Sequence, residues 1–266
     1  MRTVDPPLPW LVRVTFLIVA LVLVAGALLF IAPSLLVPLW PWALKPFNAR
    51  FLGAIYLGEM VAVLCTLLSN RWSLARLTVP QAAVFTGAVT LASLLSLSHF
   101  DFSRPLVWGW FVIYLLPLVI LAWFAWQKRG WSSSSARPTP AGWRWALRLQ
   151  ALLLALYGLA LFLFPLPASA FWPWALDSFH GRVYSALFFT GAVGAWLLQR
   201  RATALEWKTL GGTQLVLSGA VIAGLLLADA QVRRVEWSAP GVWLWLAGFG
   251  LVAVVGAGML ARRTPT

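Results

Sequence analysis

The chain has 266 residues, of which 61% are hydrophobic and 10% charged, and its net charge is +13. Soluble domains carry charged residues at about a quarter of positions, so this composition excludes an ordinary water-soluble domain. Its basic residues are scattered between apolar runs and form no stripe, which argues against nucleic acid, and the lone Cys65 leaves no disulfide framework or Cys-rich metal site.

Eight apolar runs follow one another, at about 11–32, 47–69, 80–98, 106–127, 145–164, 180–198, 210–228 and 241–261. Each approaches the roughly 20 residues that a helix needs to cross a bilayer. The runs are continuous rather than alternating, so a closed β-barrel does not fit. The expected fold is an all-α integral membrane protein of about eight transmembrane helices. The first run resembles a secretory leader, with Arg2 and Arg13 before it, but an internal copy of the same stretch argues that it stays as a helix.

That copy belongs to a repeat. Residues Trp40-Pro-Trp-Ala-Leu44 recur as Trp172-Pro-Trp-Ala-Leu176, and through Arg50 and Arg182 the match is seven identities in eleven positions at an offset of 132. The offset also aligns Gly26 with Gly158, Pro33 with Pro165, and Gly87-Ala-Val89 with Gly219-Ala-Val221. After a three-residue slip, Pro105, Trp108 and Trp110 match Pro240, Trp243 and Trp245. The expected organisation is two parallel four-helix repeats, 1–129 and 145–266, joined by a flexible Ser/Pro linker at 130–144. An even number of spans inserts both copies the same way, so the expected pseudo-twofold lies along the membrane normal.

Lys and Arg in alternate loops divide twelve to six, which places both termini and the linker in the cytoplasm of a cell (inner) membrane protein. All 18 tryptophans fall at run ends or in loops. Trp40, Trp42, Trp172 and Trp174 are therefore expected as an interfacial loop, anchored flat among the headgroups, with a lid over an outward cavity as the sharper alternative. Downstream, Arg50, Ala54, Gly58 and Ala62 are spaced by four, as are Arg182, Ala186, Thr190 and Gly194, giving each copy a small-residue packing seam. Arg50 and Arg182 at its end either snorkel to phosphates or loop carbonyls, or hold an anion.

Glu59 is the one acid expected at mid-depth, and its repeat counterpart is Gly191. Either Thr90, Ser93 or Tyr114 satisfies it, or it binds a proton or cation. Substrate or ion-binding candidates are thus Glu59, Arg50 and Arg182. His99 and His180 lie near Asp101 and Asp177, without the spacing of a metal or haem site, and no cofactor is expected. The expected partners are membrane lipid, anionic near the arginines, and other membrane subunits. The leading functional reading is binding or transport of a small or lipid-like molecule. A non-catalytic membrane subunit using the Gly-rich last helix is the alternative. An enzyme ranks last, because too few polar groups share one depth.

Overall fold

The computed structural model describes residues 5–131 and 133–262. Arg2 and Arg263 of the charge count and Ser132 of the linker lie outside the described residues. The fold is all-helical apart from one two-residue ladder. Its long helices are α1 (Trp10–Ile31), α2 (Pro46–Ser69), α3 (Trp72–Leu94), α4 (Pro105–Gln127), α5 (Ala141–Leu163), α6 (Ser178–Leu198), α7 (Ala204–Val232) and α8 (Pro240–Ala261).

Seven of these are long and apolar enough to cross a membrane, which supports a multi-pass membrane protein. The one outside that set is α6. It is 21 residues long, but His180 and Arg182 enter its first turns and Ser185, Thr190, Gly191 and Gly194 follow. It therefore counts as an amphiphilic interior helix by composition.

Helix starts follow local chemistry. Pro46, Pro105 and Pro240 each occupy a first helical position, where the missing N–H costs nothing. Asp177 caps α6 by accepting from the His180 backbone N–H. Thr203 and Glu206 form a reciprocal capping box that starts α7. Helix α3 begins at Trp72, well before the expected 80, because Pro80 sits inside it rather than at its start. The chain absorbs that missing donor within a packed helix.

Helices α2, α3, α6 and α7 carry most of the buried side chains. The others expose Leu17, Leu21, Leu115, Val119, Leu152, Leu156, Leu251 and Val254, as a lipid-facing layer should. The dominant pairings are α1 with α2, α3 with α4, α5 with α6, and α7 with α8. Across the chain's midpoint, α2 packs on α7 and α3 on α6.

The segment between α4 and α5 is pinned rather than loose. Arg137 and Pro138 pair antiparallel with Arg201 and Ala202. Thr139 donates its hydroxyl to the Leu198 carbonyl at 2.6 Å, and Arg201 donates to the Ala136 carbonyl at 3.0 Å. Helix α5 starts at Ala141, inside the stretch expected as linker, because Pro140 supplies its N-cap geometry.

Close approach rests on glycine. A β-carbon on Gly58 would lie 2.7 Å from the Leu217 β-carbon of α7, and one on Gly256 would lie 2.7 Å from the Gly211 carbonyl. Gly248 has open space around it. Overpacking a tight helix contact costs about 1–3 kcal/mol. Gly58→Leu should therefore lower the melting temperature of the detergent-solubilised protein by several degrees, while Gly248→Leu leaves it unchanged. Equal effects would contradict this packing.

Candidate functional site

The two Trp-Pro-Trp loops clasp opposite halves of the molecule. The Trp42 indole N–H donates to His180 Nε2 at 3.1 Å, and the Trp174 N–H donates to Asn48 Oδ1 at 2.8 Å. Asn48 and His180 are themselves related by the 132-residue offset, so these two bonds are reciprocal. Trp42 packs edge-on against Phe179, and Trp174 stacks on Phe47, another offset pair. Trp40, Trp42 and Trp172 are buried, which corrects the expectation of rings lying flat among headgroups. Their N–H groups point inward to protein acceptors, except that Trp40 Nε1 has none among the described residues. Other rings are exposed instead, among them Trp10, Trp108, Trp126, Trp145 and Trp243.

Trp42 donating to His180 Nε2 leaves the ring proton on Nδ1, which faces Asp177 Oδ2 at 2.7 Å. Burial pushes the Asp177 carboxyl up, but the side-chain and backbone bonds from His180 outweigh it, with His99 nearby, and hold it at about 2. A depressed carboxyl adds stability above its ordinary value of 3.8 and loses it as pH falls through about 2. The carboxylate is half exposed, so its effect is screened to about 1 kcal/mol or less. Asp177→Asn should therefore lower the melting temperature by about 2–4 °C at pH 6, a gap that closes as pH falls from 4 toward 2. A gap independent of pH would show that the carboxyl charge is not the stabilising feature.

Arg50 is buried, and its guanidinium donates to the Phe30 carbonyl, one of the last orphan acceptors of α1. Its Nε has no partner among the described residues. Arg182 is partly exposed, and among the described residues its side chain makes no hydrogen bond or ion pair. The two arginines, aligned in sequence, are thus used differently: Arg50 closes the end of a helix.

Glu59 lies near the middle of α2, is partly accessible, and among the described residues makes no hydrogen bond or ion pair. It borders two cavities, each of about 50 Å³. The first is enclosed by α1, α2, α3 and α4, with Tyr56, Thr86 and Tyr114 as its other polar liners. The second lies among α5, α6, α7 and α8, with Glu59 and Gln81 reaching in from the other half beside Gln150, Thr190, Thr213 and Gln214. No Lys, Arg or His lines either one.

The bland partners expected for Glu59 are spent elsewhere. Tyr114 hydrogen-bonds Tyr56 at 2.9 Å, and Ser93 donates to the Val89 carbonyl while accepting from Trp110. Thr90 has no partner among the described residues and lines neither cavity. In the second cavity Gln81 donates to the Thr190 carbonyl at 3.2 Å. Gln214 and Thr213 are each more than nine-tenths buried, yet both amide atoms of Gln214 and the Thr213 hydroxyl are unpartnered among the described residues. Both amide atoms of Gln150 are unpartnered in the same sense.

Carboxamides carry no charge and do not stand out in an apolar sequence, although the offset gives a signal for them. At the 132-residue offset, Gln150 stands where the first half has Ile18, and Gln214 where it has Ala82. Glu206 does not stand out either, despite its capping-box spacing from Thr203. It is fully buried and pairs with Arg76 across the two halves at 2.7 Å.

A larger open cleft of about 700 Å³ lies between the Trp172-Pro-Trp174 loop and the segment carrying Arg234 and Glu236. Its wall tryptophans donate their N–H groups to Tyr157 and Asn48. No family model, curated protein or solved structure matches this chain.

Proposed function

We propose that this chain is a membrane carrier or binding protein for a small molecule, built from two parallel four-helix repeats with eight spans and both termini cytoplasmic. Exchange of the halves supports the repeat. The exchange turns α1–α2 into α5–α6, α3–α4 into α7–α8, and α2–α7 into α6–α3, and each of these is a dominant pairing. The reciprocal Trp42–His180 and Trp174–Asn48 bonds fit the same operation. The sixth helix then spans as an interior helix whose polar residues never meet lipid.

One observation carries the functional reading: Glu59 lacks a partner where it borders a small cavity that unpartnered Gln150, Thr213 and Gln214 also line. An ionisable residue within a span costs a few kcal/mol even on lenient scales, and an unsatisfied buried polar group about 1–3 kcal/mol. A purely structural core has no reason to gather several of them at one place. The volume also narrows the occupant. Drug-sized ligands need cavities of roughly 300–1,000 Å³, so a lipid-like molecule does not fit beside Glu59.

The alternative of a non-catalytic subunit loses part of its basis, because Gly256 of the last helix is already taken by Gly211 within the chain. Catalysis is not favoured either, since the lining residues of the second cavity include one carboxyl and no other titratable group.

Accessibility tests the reading. In a Cys65→Ser background, Thr213→Cys should react with a small hydrophilic thiol reagent in membranes, faster than a cysteine placed at lipid-facing Leu251. Labelling no faster than at Leu251 would mean a sealed core and sink the carrier reading. Ser135→Cys should be labelled only from the cytoplasmic face. Labelling from outside in intact cells would reverse the topology.

A further inference from the structure

We infer that the second cavity is a binding site for one dehydrated monovalent cation of about sodium's size, held by Glu59 with neutral oxygens from Gln150, Thr213 and Gln214. This rests on the carrier reading and gives it a ligand class.

The first argument is charge. Glu59 is the single ionisable group among the cavity's lining residues, and those residues include no basic side chain. One carboxylate with one monovalent cation leaves the site neutral, which a low-dielectric interior requires of any buried charge. A divalent ion would leave an uncompensated charge. An anion would meet a carboxylate with no Lys or Arg to offset it.

The second argument is ligand type. Carboxylate, carboxamide and hydroxyl oxygens are hard donors that suit alkali and alkaline-earth ions. Carbonyl-type oxygens replace a hydration shell without adding net charge. Gln214 and Gln150 each offer an unpartnered amide oxygen, and Thr213 an unpartnered hydroxyl. Gln81 donates its amide N–H to the Thr190 carbonyl, which fixes that side chain in the wall.

The third argument is size. A cavity of about 50 Å³ holds on the order of three waters, so an ion fits with at most partial hydration.

The fourth is divergence between offset-related positions. The two cavities are lined by matching residues: Ile18 and Gln150, Val22 and Leu154, Tyr56 and Phe188, Glu59 and Gly191, Ala82 and Gln214, Phe85 and Leu217. The halves therefore carry the same cavity, but the carboxyl comes from the first half and two carboxamides come from the second. Glu59, Gln150 and Gln214 all line the second chamber, whereas the Tyr56 hydroxyl, which Phe188 lacks, lines the first. Packing of α2 on α7 is what brings the first half's acid to the second half's amides.

Protons compete for the same carboxylate. The titratable groups lining the two cavities are Glu59, Tyr56 and Tyr114, and the tyrosines pair with each other. Cation affinity should fall as pH falls.

The test is equilibrium binding of radioactive sodium to the purified full-length chain in nanodiscs, with lithium and potassium as competitors. Saturable binding of one ion per chain is expected, weakening at acid pH. Glu59→Gln should reduce affinity at least tenfold. Gln214→Leu, which restores the apolar character of Ala82 at the offset position, should reduce it severalfold and keeps the proposal testable if the Glu59 variant does not fold. No saturable binding by a folded chain whose Thr213→Cys variant is accessible overturns the cation site but leaves the carrier reading standing. An inaccessible Thr213→Cys defeats that reading instead. Binding unaffected by both Glu59→Gln and Gln214→Leu places the ion elsewhere and overturns the assignment.

Discussion

Helix α2 comes so close to α7 that Gly58 has no room for a β-carbon beside Leu217, and a β-carbon on Gly224 of α7 would come within 3.4 Å of Arg50. This approach governs the rest of the structure. Between helices in lipid there is no hydrophobic drive, because acyl chains are as apolar as leucine, so cohesion comes from close van der Waals contact and interhelical hydrogen bonds. Small residues on α2 supply the first. They also set its rotation: Gly58 faces α7, and Glu59, about 100° further round, is turned to border both cavities. Had α2 packed chiefly inside its own half, Glu59 could not have reached Gln214.

The same scarcity of solvent sorts the interior polar groups into two populations. One is fully used. Thr66 donates to the Ala62 carbonyl and its hydroxyl pairs with that of Thr78, Tyr56 pairs with Tyr114, and Arg76 meets Glu206, which also caps α7. Measured bonds of this kind between membrane helices average about 0.6 kcal/mol each. They hold the bundle together by number. The other population is unpartnered: part of it, such as Trp40 Nε1 and the Thr90 and Ser218 hydroxyls, is spread through the core, and Gln150, Thr213 and Gln214 line one small cavity with Glu59. Each such group costs more than a typical interhelical bond returns, so the set at that cavity works against stability and needs a separate explanation.

Much of the helix layout was legible, because continuous apolar runs have no other stable form in a bilayer. The loop motif at Trp40 and Trp172 also announced the 132-residue offset that relates the Trp42–His180 and Trp174–Asn48 bonds. What was not legible depended on contacts distant in sequence. Indole at a loop reads as an anchor, but Trp42 and Trp174 have acceptors 138 and 126 residues away. Pro80 reads as a boundary, yet packing carries α3 through it. The Ser/Pro stretch reads as loose, and only the pairing with Arg201 and Ala202 pins it. In the candidate site, charge drew the eye to Glu59, Arg50 and Arg182. Of these, only Glu59 lines either small cavity. Arg50 satisfies a helix end, a role that needs no ligand.

The carboxamides illustrate how offset-related positions can be read for function. Residues identical at the offset, such as the Trp-Pro-Trp turns, report what both halves need for packing. Residues that differ in size but not polarity, such as Val22 and Leu154, report tolerance. A change from isoleucine to glutamine at a cavity-lining position reports neither, because it adds hydrogen-bonding groups that the other half manages without. Gln150, Gln214 and Glu59 are three such changes on α5, α7 and α2. All three line one cavity, from three helices and from both halves of the chain. Convergence of that kind is a property of the folded molecule that no single helix could select, and it is why the polar cavity, rather than the paired arginines or the tryptophan loops, is the place where this structure departs from what its own architecture requires.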